Sequence, residues 1–305
     1  MTAAVVALDV GGTTIKCALV RQDGRLVHAE RHPTRAEGGP DRVVATILEI
    51  AGGLADKAPA EGLTAVAAGV VVPGVVDEDA GIAEWSANLG LRAVPLGDLV
   101  AAHLSLPTAL GHDVRAGGLA EARLGAGRGS RHVLFVAIGT GIAAASIVDG
   151  RGYAGAHGAA GELGHVVVRP GGPACGCGQR GCLEAVASAS AVARRYAAVA
   201  GTSLTAAEVV SAATAGDPLA QRVWQEAVEA LADGLATAQA LFDPEVVVIG
   251  GGLAGAGEGL LAPLRRALRA RLTFHREPRL ASAALGDEAG CLGAALLALD
   301  AVAAQ

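Results

Sequence analysis

Residues 3–20 read AAVVALDVGGTTIKCALV: an almost continuous apolar run ending at Asp9, a Gly11-Gly12 turn, and a second apolar run. Runs of this length, bounded by glycine, are strands. The turn between them presents backbone N–H groups and the hydroxyls of Thr13 and Thr14, which together suit a phosphate; a plain hairpin carries the same residues. The device returns at residues 137–148, AIGTGIAAASIV, where Gly139, Thr140 and Gly141 form the turn. Two copies at the heads of two halves predict a duplicated α/β fold with a phosphate-bearing ligand between the halves.

Outward from these turns the chain alternates. Asp23-Gly24 turns the second strand into a third. Val43, Ile47, Ile50 and Leu54 recur at helical spacing between Pro40 and about Lys57, and TAVAAGVVVPGVVD is a buried strand stopped by Pro73-Gly74. A helix LGDLVAAHLSL, a strand TALGHD delivering Asp113, and a helix VRAGGLAEARLG follow. This order predicts a mixed sheet with helices on its faces. In the second half, helices are expected over Leu183–Val199, after a Thr205/Glu208 capping box, and from Asp217-Pro218, where Trp224, Val228, Leu231, Leu235, Ala238 and Phe242 form one stripe suited to core or subunit contact. EVVVIGGGLAG is a strand entering a glycine turn, and Leu260 to Leu272 a further helix. The expected domains are 1–113 and 114–287, with a terminal helix over 288–305 packing back on the first.

Residues 161–185, GELGHVVVRPGGPACGCGQRGCLEA, gather Glu162, His165, Cys175, Cys177, Cys182 and Glu184, in a chain with five cysteines in all. One imidazole and three thiolates are a tetrahedral zinc set with no open position, hence structural. A redox pair at Cys175 and Cys177 and unligated thiols are the competing readings; a one-residue gap is short for a dithiol, and His165 has no redox purpose.

Composition excludes other classes. A net charge of −6 disfavours phosphate backbones and anionic lipid, so neither a nucleic acid nor a membrane partner is expected. No run of about 18 apolar residues and no basic leader occur, and the cysteines do not form an even framework; both point to the cytoplasm. Seven aromatic residues leave the core to Val, Leu, Ile and Ala.

With these residues in view, the chain resembles the ROK family (repressors, open reading frames, kinases), and among its members the ATP-dependent sugar kinases of glucokinase type. DVGGTTIK, the acidic residue of GHDVRAGG, GTG at 139–141, GELGH, CGCGQRGCLE and IGGGLAG carry the resemblance, of which ELGH followed by CGCGQRGCLE is the most specific. It implies an α/β, two-domain, actin-like fold of duplicated ribonuclease-H-like domains with an interdomain active-site cleft. It implies phosphorylation of a hexose, glucose to glucose 6-phosphate, by ATP with Mg2+, with a structural Zn2+ and a homo-oligomer, dimer or dimer of dimers. Carried over, Asp113 resembles the catalytic base; Asn88, Asp113, Glu162, His165 and Glu184 the sugar ligands; and His165, Cys175, Cys177 and Cys182 the zinc ligands. Asp9, Gly11, Gly12, Thr13 and Thr14, with Gly139, Thr140 and Gly141, resemble phosphate turns, and Gly250, Gly251 and Gly252 the adenosine loop.

The chemistry is consistent with these types. Phosphoryl transfer needs a carboxylate to take the hydroxyl proton, although Asp113 also stands where a helix N-cap belongs. If His165 binds zinc through one nitrogen, the other carries a proton that a sugar oxygen accepts. Lys16 and Arg180 are left without a role. Two departures stand out: family kinases carry Asn before the base where this chain has His112 after Gly111, and GTGIAAA lacks the further glycines common there. These leave open another hexose or an N-acylhexosamine, polyphosphate as donor, or a sugar-sensing protein without catalysis. A repressor's helix-turn-helix is not expected, because the first strand starts at residue 3.

Overall fold

A computed structural model describes residues 1–303. The chain divides into two compact units. The first holds Met1–Leu124, Arg151–Ala160 and the segment from Asp287 onward; the second holds Gly125–Gly150 and Gly161–Gly286.

The first unit opens with β1 (Thr2–Val10), β2 (Thr14–Arg21) and β3 (Leu26–Pro33), continues through α1 (Pro40–Lys57) and β4 (Leu63–Val72), and forms β5 (Val75–Asp77), β6 (Ile82–Ser86) and β7 (Leu91–Val94). Then come α2 (Leu96–Leu104), β8 (Thr108–His112) and α3 (Asp113–Arg123). Its main sheet runs β3-β2-β1-β4-β8, with β1 antiparallel to β2 and parallel to β4. Val5, Val6, Ala7 and Leu8 have no exposure, as expected of a strand covered on both faces. One cover is α1, whose Val43, Ile47 and Leu54 are buried; β5-β6-β7 make a small separate sheet.

The second unit repeats the plan. β9 (His132–Ile138) pairs antiparallel with β10 (Ile142–Val148) and parallel with a later strand, as β1 does. After the two-residue β11 (Arg151–Gly152), assigned to the first unit, come α4 (Leu183–Ala187), α5 (Ala189–Ala200), α6 (Ala206–Thr214) and α7 (Pro218–Phe242). β12 (Val246–Gly250), α8 (Glu258–Arg269) and β13 (Arg279–Ser282) complete it, giving the order β10-β9-β12-β13. The α/β class and the duplication expected from the two turns are both present.

Three details differ from the sequence reading. Leu183–Val199 is two helices, because Ser188 ends α4 in extended conformation and caps α5 by accepting the Ala191 N–H. The stripe on α7 is buried from Trp224 to Ala238, whereas Phe242 is exposed at its end. The unit boundary falls after α3 rather than at Asp113, since α3 packs on α9 (Ala289–Ala303). Residues 304 and 305 of the expected terminal helix lie outside the described residues. α9 approaches β4 and α3 at backbone distance: a Cβ on Gly69 would lie 2.0 Å from the Ala294 oxygen, and one on Gly293 2.1 Å from the Ala116 oxygen. No helix among the described residues is long and apolar enough to cross a membrane.

Candidate active site

The candidate residues form two groups, one on each unit. On the first unit, the β1–β2 turn is closed by the Gly11 N–H donating to the Thr14 oxygen at 3.0 Å. Thr34, fully buried just past β3, braces it by donating its hydroxyl to the Gly11 oxygen at 2.6 Å, while its N–H donates to the Thr13 oxygen. Asn88, in the turn after β6, lies over this loop, 3.1 Å from where a Cβ on Gly12 would stand. A side chain at residue 12 would press on Asn88.

Asp9 and Lys16 are partners in the β1–β2 register, and Lys16 Nζ lies 3.6 Å from the Asp9 carboxylate and 3.8 Å from Asp287. Lys16 therefore faces the candidate site, which sequence reading missed; the signal was the register of the hairpin, which the Gly-Gly-Thr-Thr turn sets. Burial raises the Asp9 carboxyl above its ordinary pKa, Lys16 opposes, and the nearby Asp113 adds to the rise.

β8 delivers His112 and α3 begins at Asp113. The N-cap is His112, not Asp113 as a cap reading of the sequence would have it: its Nδ1 accepts the Arg115 N–H at 3.3 Å. That fixes the tautomer, because an accepting Nδ1 leaves the proton on Nε2, which lies 3.5 Å from Asp113 Oδ1. Burial, then the Arg115 guanidinium, push the imidazole down to about 4, against the pull of Glu78, so it is neutral at pH 7. Glu78 Oε1 accepts both the His112 N–H at 3.1 Å and Arg115 Nε at 2.9 Å, and Arg115 Nη1 donates to the Gly158 oxygen at 2.8 Å. This bracket around the start of α3 joins residues 37 and 43 positions apart. Within it, burial raises the Asp113 carboxyl, opposed first by the N–H of Val114, which donates to Oδ1 at 2.7 Å. A carboxylate with raised proton affinity is suited to general-base work.

On the second unit, the Gly139–Gly141 turn is closed by the Gly139 N–H donating to the Gly141 oxygen, and Ser190 donates to the Thr140 oxygen. Glu184, in the first turn of α4, accepts the Ile142 N–H at 3.0 Å through Oε2, so this glutamate is tied to the turn. Gly141 makes room for it: a Cβ there would lie 2.4 Å from that oxygen. Of the third glycine run, Gly250 lies under the Phe135 ring and Gly251 adopts φ +78 with a Cβ position 2.5 Å from the Ile138 oxygen; both are exacted by packing, and Gly252 is open.

The cysteine loop starts alongside β10 at Gly161 and Gly164, where Cβ atoms would meet the Ala144 and Ile142 oxygens at 2.0 and 2.1 Å. A turn closed by Cys175 N–H to Gln179 O and Gly178 N–H to Cys175 O folds the cysteines together, and Arg169 pins the loop to Asp233 of α7. His165 Nδ1 is 3.6 Å from Cys175 Sγ, Cys177 and Cys182 sulfurs are 3.7 Å apart, and the four donor atoms lie within 4.8 Å of one another. A tetrahedral ion with Zn–S of about 2.3 Å has edges of roughly 3.8 Å. The set fits zinc. Burial and neighbouring thiols push the Cys182 thiol up, a cost that a dication removes by deprotonating it. Glu162 Oε2 faces the other ring nitrogen of His165 at 3.7 Å, so the imidazole links the cysteine cluster to a carboxylate. The first unit thus carries a buried carboxyl and a glycine turn, and the second unit carries two glutamates, an imidazole and a glycine turn.

Known proteins resemble the chain along nearly its whole length. The chain is 36% identical over 312 residues to a glucokinase of Thermotoga maritima, covering 95% of this chain and 96% of that protein. The solved ROK hexokinase of Thermus thermophilus superposes with a TM-score of 0.87 at 38% identity, covering 99% of this chain and all of the other. A ROK family glucokinase from Streptomyces griseus, solved in complex with glucose and AMPPNP, gives 0.81 at 31% identity, over 97% of this chain and 99% of that one. Their common architecture is the actin-like, duplicated α/β fold. Residues 5–301 match the family model itself, and the chain belongs to the ROK family.

Proposed function

We propose that this protein is an ATP-dependent hexose kinase that converts glucose to glucose 6-phosphate. The observation that carries this reading is Asp113: a carboxyl of raised proton affinity at the first position of α3, beside a neutral imidazole. The likeness to the T. maritima and S. griseus glucokinases supports it.

Asp113 takes the proton of the sugar hydroxyl as its oxygen forms a bond to the γ-phosphorus; the bond to the β–γ bridging oxygen breaks, and ADP leaves. Asn88, Glu162, His165 and Glu184 pair the sugar hydroxyls, a requirement set by the cost of about 1–3 kcal/mol for each buried polar group left unpaired. Glu184 has one oxygen engaged with Ile142 and offers the other. Gly11, Gly12, Thr13 and Thr14, with Gly139, Thr140 and Gly141, hold phosphates through N–H and hydroxyl donors, and Gly251 and Gly252 border the adenosine. Asp9, which Lys16 keeps in place, would hold the Mg2+ that comes with the nucleotide, and that ion would supply neutralisation of phosphate charge.

His165, Cys175, Cys177 and Cys182 would hold Zn2+, which supplies a rigid staple and no open coordination position. With its Nδ1 turned toward the cysteines, His165 would keep its proton on Nε2 for a hydroxyl or for Glu162. His112 acts through Asp113, because both its ring nitrogens have partners inside the α3 bracket.

An assay of ADP release over a panel of hexoses and N-acylhexosamines, with ATP or polyphosphate, tests the reading. Glucose with ATP is expected to turn over fastest, and Asp113→Ala to lose about 10²–10⁴-fold in kcat while sugar binding survives. Absence of turnover with every sugar, or near wild-type turnover in Asp113→Ala, would overturn it.

A further inference from the structure

A second set of metal-binding side chains stands apart from the cysteine loop. β3 closes one side of the first sheet, and its residues 28, 30 and 32 share one face. Glu30 is the centre of that face: His28 Nε2 lies 2.7 Å from its Oε1, His32 Nε2 3.0 Å from its Oε2, and the Lys57 ammonium, from the last turn of α1, also reaches Oε1. His28 Nδ1 in turn lies 3.4 Å from Glu61.

Cys17 sits directly across from Glu30 in the β2–β3 register, buried at 1% exposure. Its Sγ, a Glu30 carboxylate oxygen and a ring nitrogen of His32 all lie within 4.8 Å of one another. An ion pair with Lys57 accounts for Glu30, and hydrogen bonds account for the imidazoles. The Cys17 thiol donates weakly to the Glu30 carbonyl oxygen at 3.8 Å, which leaves its sulfur able to bind an ion once deprotonated. Sulfur, imidazole nitrogen and carboxylate oxygen, one of each, are the donors a zinc-class ion takes, and edges of a tetrahedral site run to roughly 3.3–3.8 Å, so closing on an ion asks each ligand to move by about 1 Å or less. A cavity of about 280 Å3 reaches Glu30 and His32, and a second of about 330 Å3 reaches Cys17 and Glu30, so Glu30 borders both approaches. Lys57 is half-exposed at the end of a flexible stem and releases Glu30 by swinging outward.

We propose that Cys17, Glu30 and His32 form a second binding site for a zinc-class divalent ion, with water as fourth ligand. Binding forms three bonds from protein to metal, passes the Cys17 thiol proton to solvent and replaces Lys57 as the counter-charge of Glu30. The ion would tie the edge strand to its neighbour, well away in sequence from every candidate sugar and phosphate ligand except those of the β1–β2 turn.

Cobalt and zinc ions are the probes. In full-length protein whose loop is disabled by Cys175→Ser and Cys177→Ser, Co2+ is expected to bind at about one ion per chain with a thiolate-to-cobalt charge-transfer band, and His32→Ala is expected to abolish that band. No band in the loop-disabled protein, or a band indifferent to His32→Ala, overturns the proposal. Because the double serine protein risks misfolding, bound zinc is also counted after dialysis in the protein with its loop intact. His32 is 38% exposed, so its removal spares the core. His32→Ala should hold about one ion fewer per chain than the parent; equal counts overturn the proposal.

Discussion

Charging His112 should unfasten the start of α3, and the size of the effect follows from the surroundings of the ring. The imidazole has 7% of its surface exposed, takes the Arg115 N–H on Nδ1 and lies beside the Arg115 guanidinium. A proton on Nδ1 turns the acceptor of the cap into a donor aimed at a donor. In the folded chain the ring titrates at about 4 instead of 6.5, and that gap corresponds to roughly 3 kcal/mol. Between these two values the unfolded chain binds the proton and the folded chain does not. The contribution is therefore complete above about pH 6.5 and is lost progressively as the pH falls to about 4.

Urea unfolding across this range, for the wild type and for His112→Asn, isolates the effect, because Asn caps a helix without titrating. Other groups titrate in both proteins and cancel in the difference. Above pH 6.5 the difference in stability should be constant; towards pH 4 it should move against the wild type by roughly 3 kcal/mol. Parallel pH profiles would show that the ring is not held neutral by its burial, and with it the fixed tautomer facing Asp113 would fall.

Three further substitutions separate catalytic placement from packing. Gly290→Ala puts a Cβ 2.3 Å from Asp9 Oδ2, and Gly293→Ala puts one 2.1 Å from the Ala116 oxygen. The first should lower kcat by forcing the Asp9 side chain aside, and the second should leave kcat near wild type while costing about 1–3 kcal/mol in urea unfolding because backbone meets backbone; equal effects on kcat would refute the distinction. Gly141→Ala displaces Glu184, the end of a flexible side chain, so the fold should survive while the KM for sugar rises, and an unchanged KM would count against Glu184 as a sugar ligand. Cys177→Ser should lower bound zinc by about one ion per chain in elemental analysis, and undiminished metal would remove the loop as its site.

What the sequence disclosed depended on how local the determining interactions are. The strand–turn–strand devices at Gly11 and Gly139 were readable because a glycine turn between two apolar runs fixes its own hairpin, and their duplication gave the fold. Thr205 with Glu208, and Asp217 before Pro218, start helices through bonds spanning three residues, and both start where expected. The convergence of His165, Cys175, Cys177 and Cys182 was readable for the same reason, as they lie within 18 positions of one chain segment. By contrast, β5 to β7 are three to five residues long and leave Trp85 exposed, so no alternation announces them. Nothing local to Lys16 says which group it faces; only the hairpin register places it opposite Asp9. The bracket of Glu78, Arg115 and Gly158 joins three distant segments, and nothing in any one of them names the other two.

The placement of α9 bears on how the protein is made. A ribosome adds about 5–20 residues per second, so on the order of ten seconds separates the emergence of α3 from that of the helix that covers it. In that interval all of Gly125–Gly150 and Gly161–Gly286 becomes available for folding, while the surface around Gly69 and Ala116 waits without its partner. The unit begun first is finished last. A nascent chain halted before residue 289 would already carry every candidate ligand for sugar and nucleotide, yet would expose the apolar backs of β1 and β4 to the chaperones of the cell.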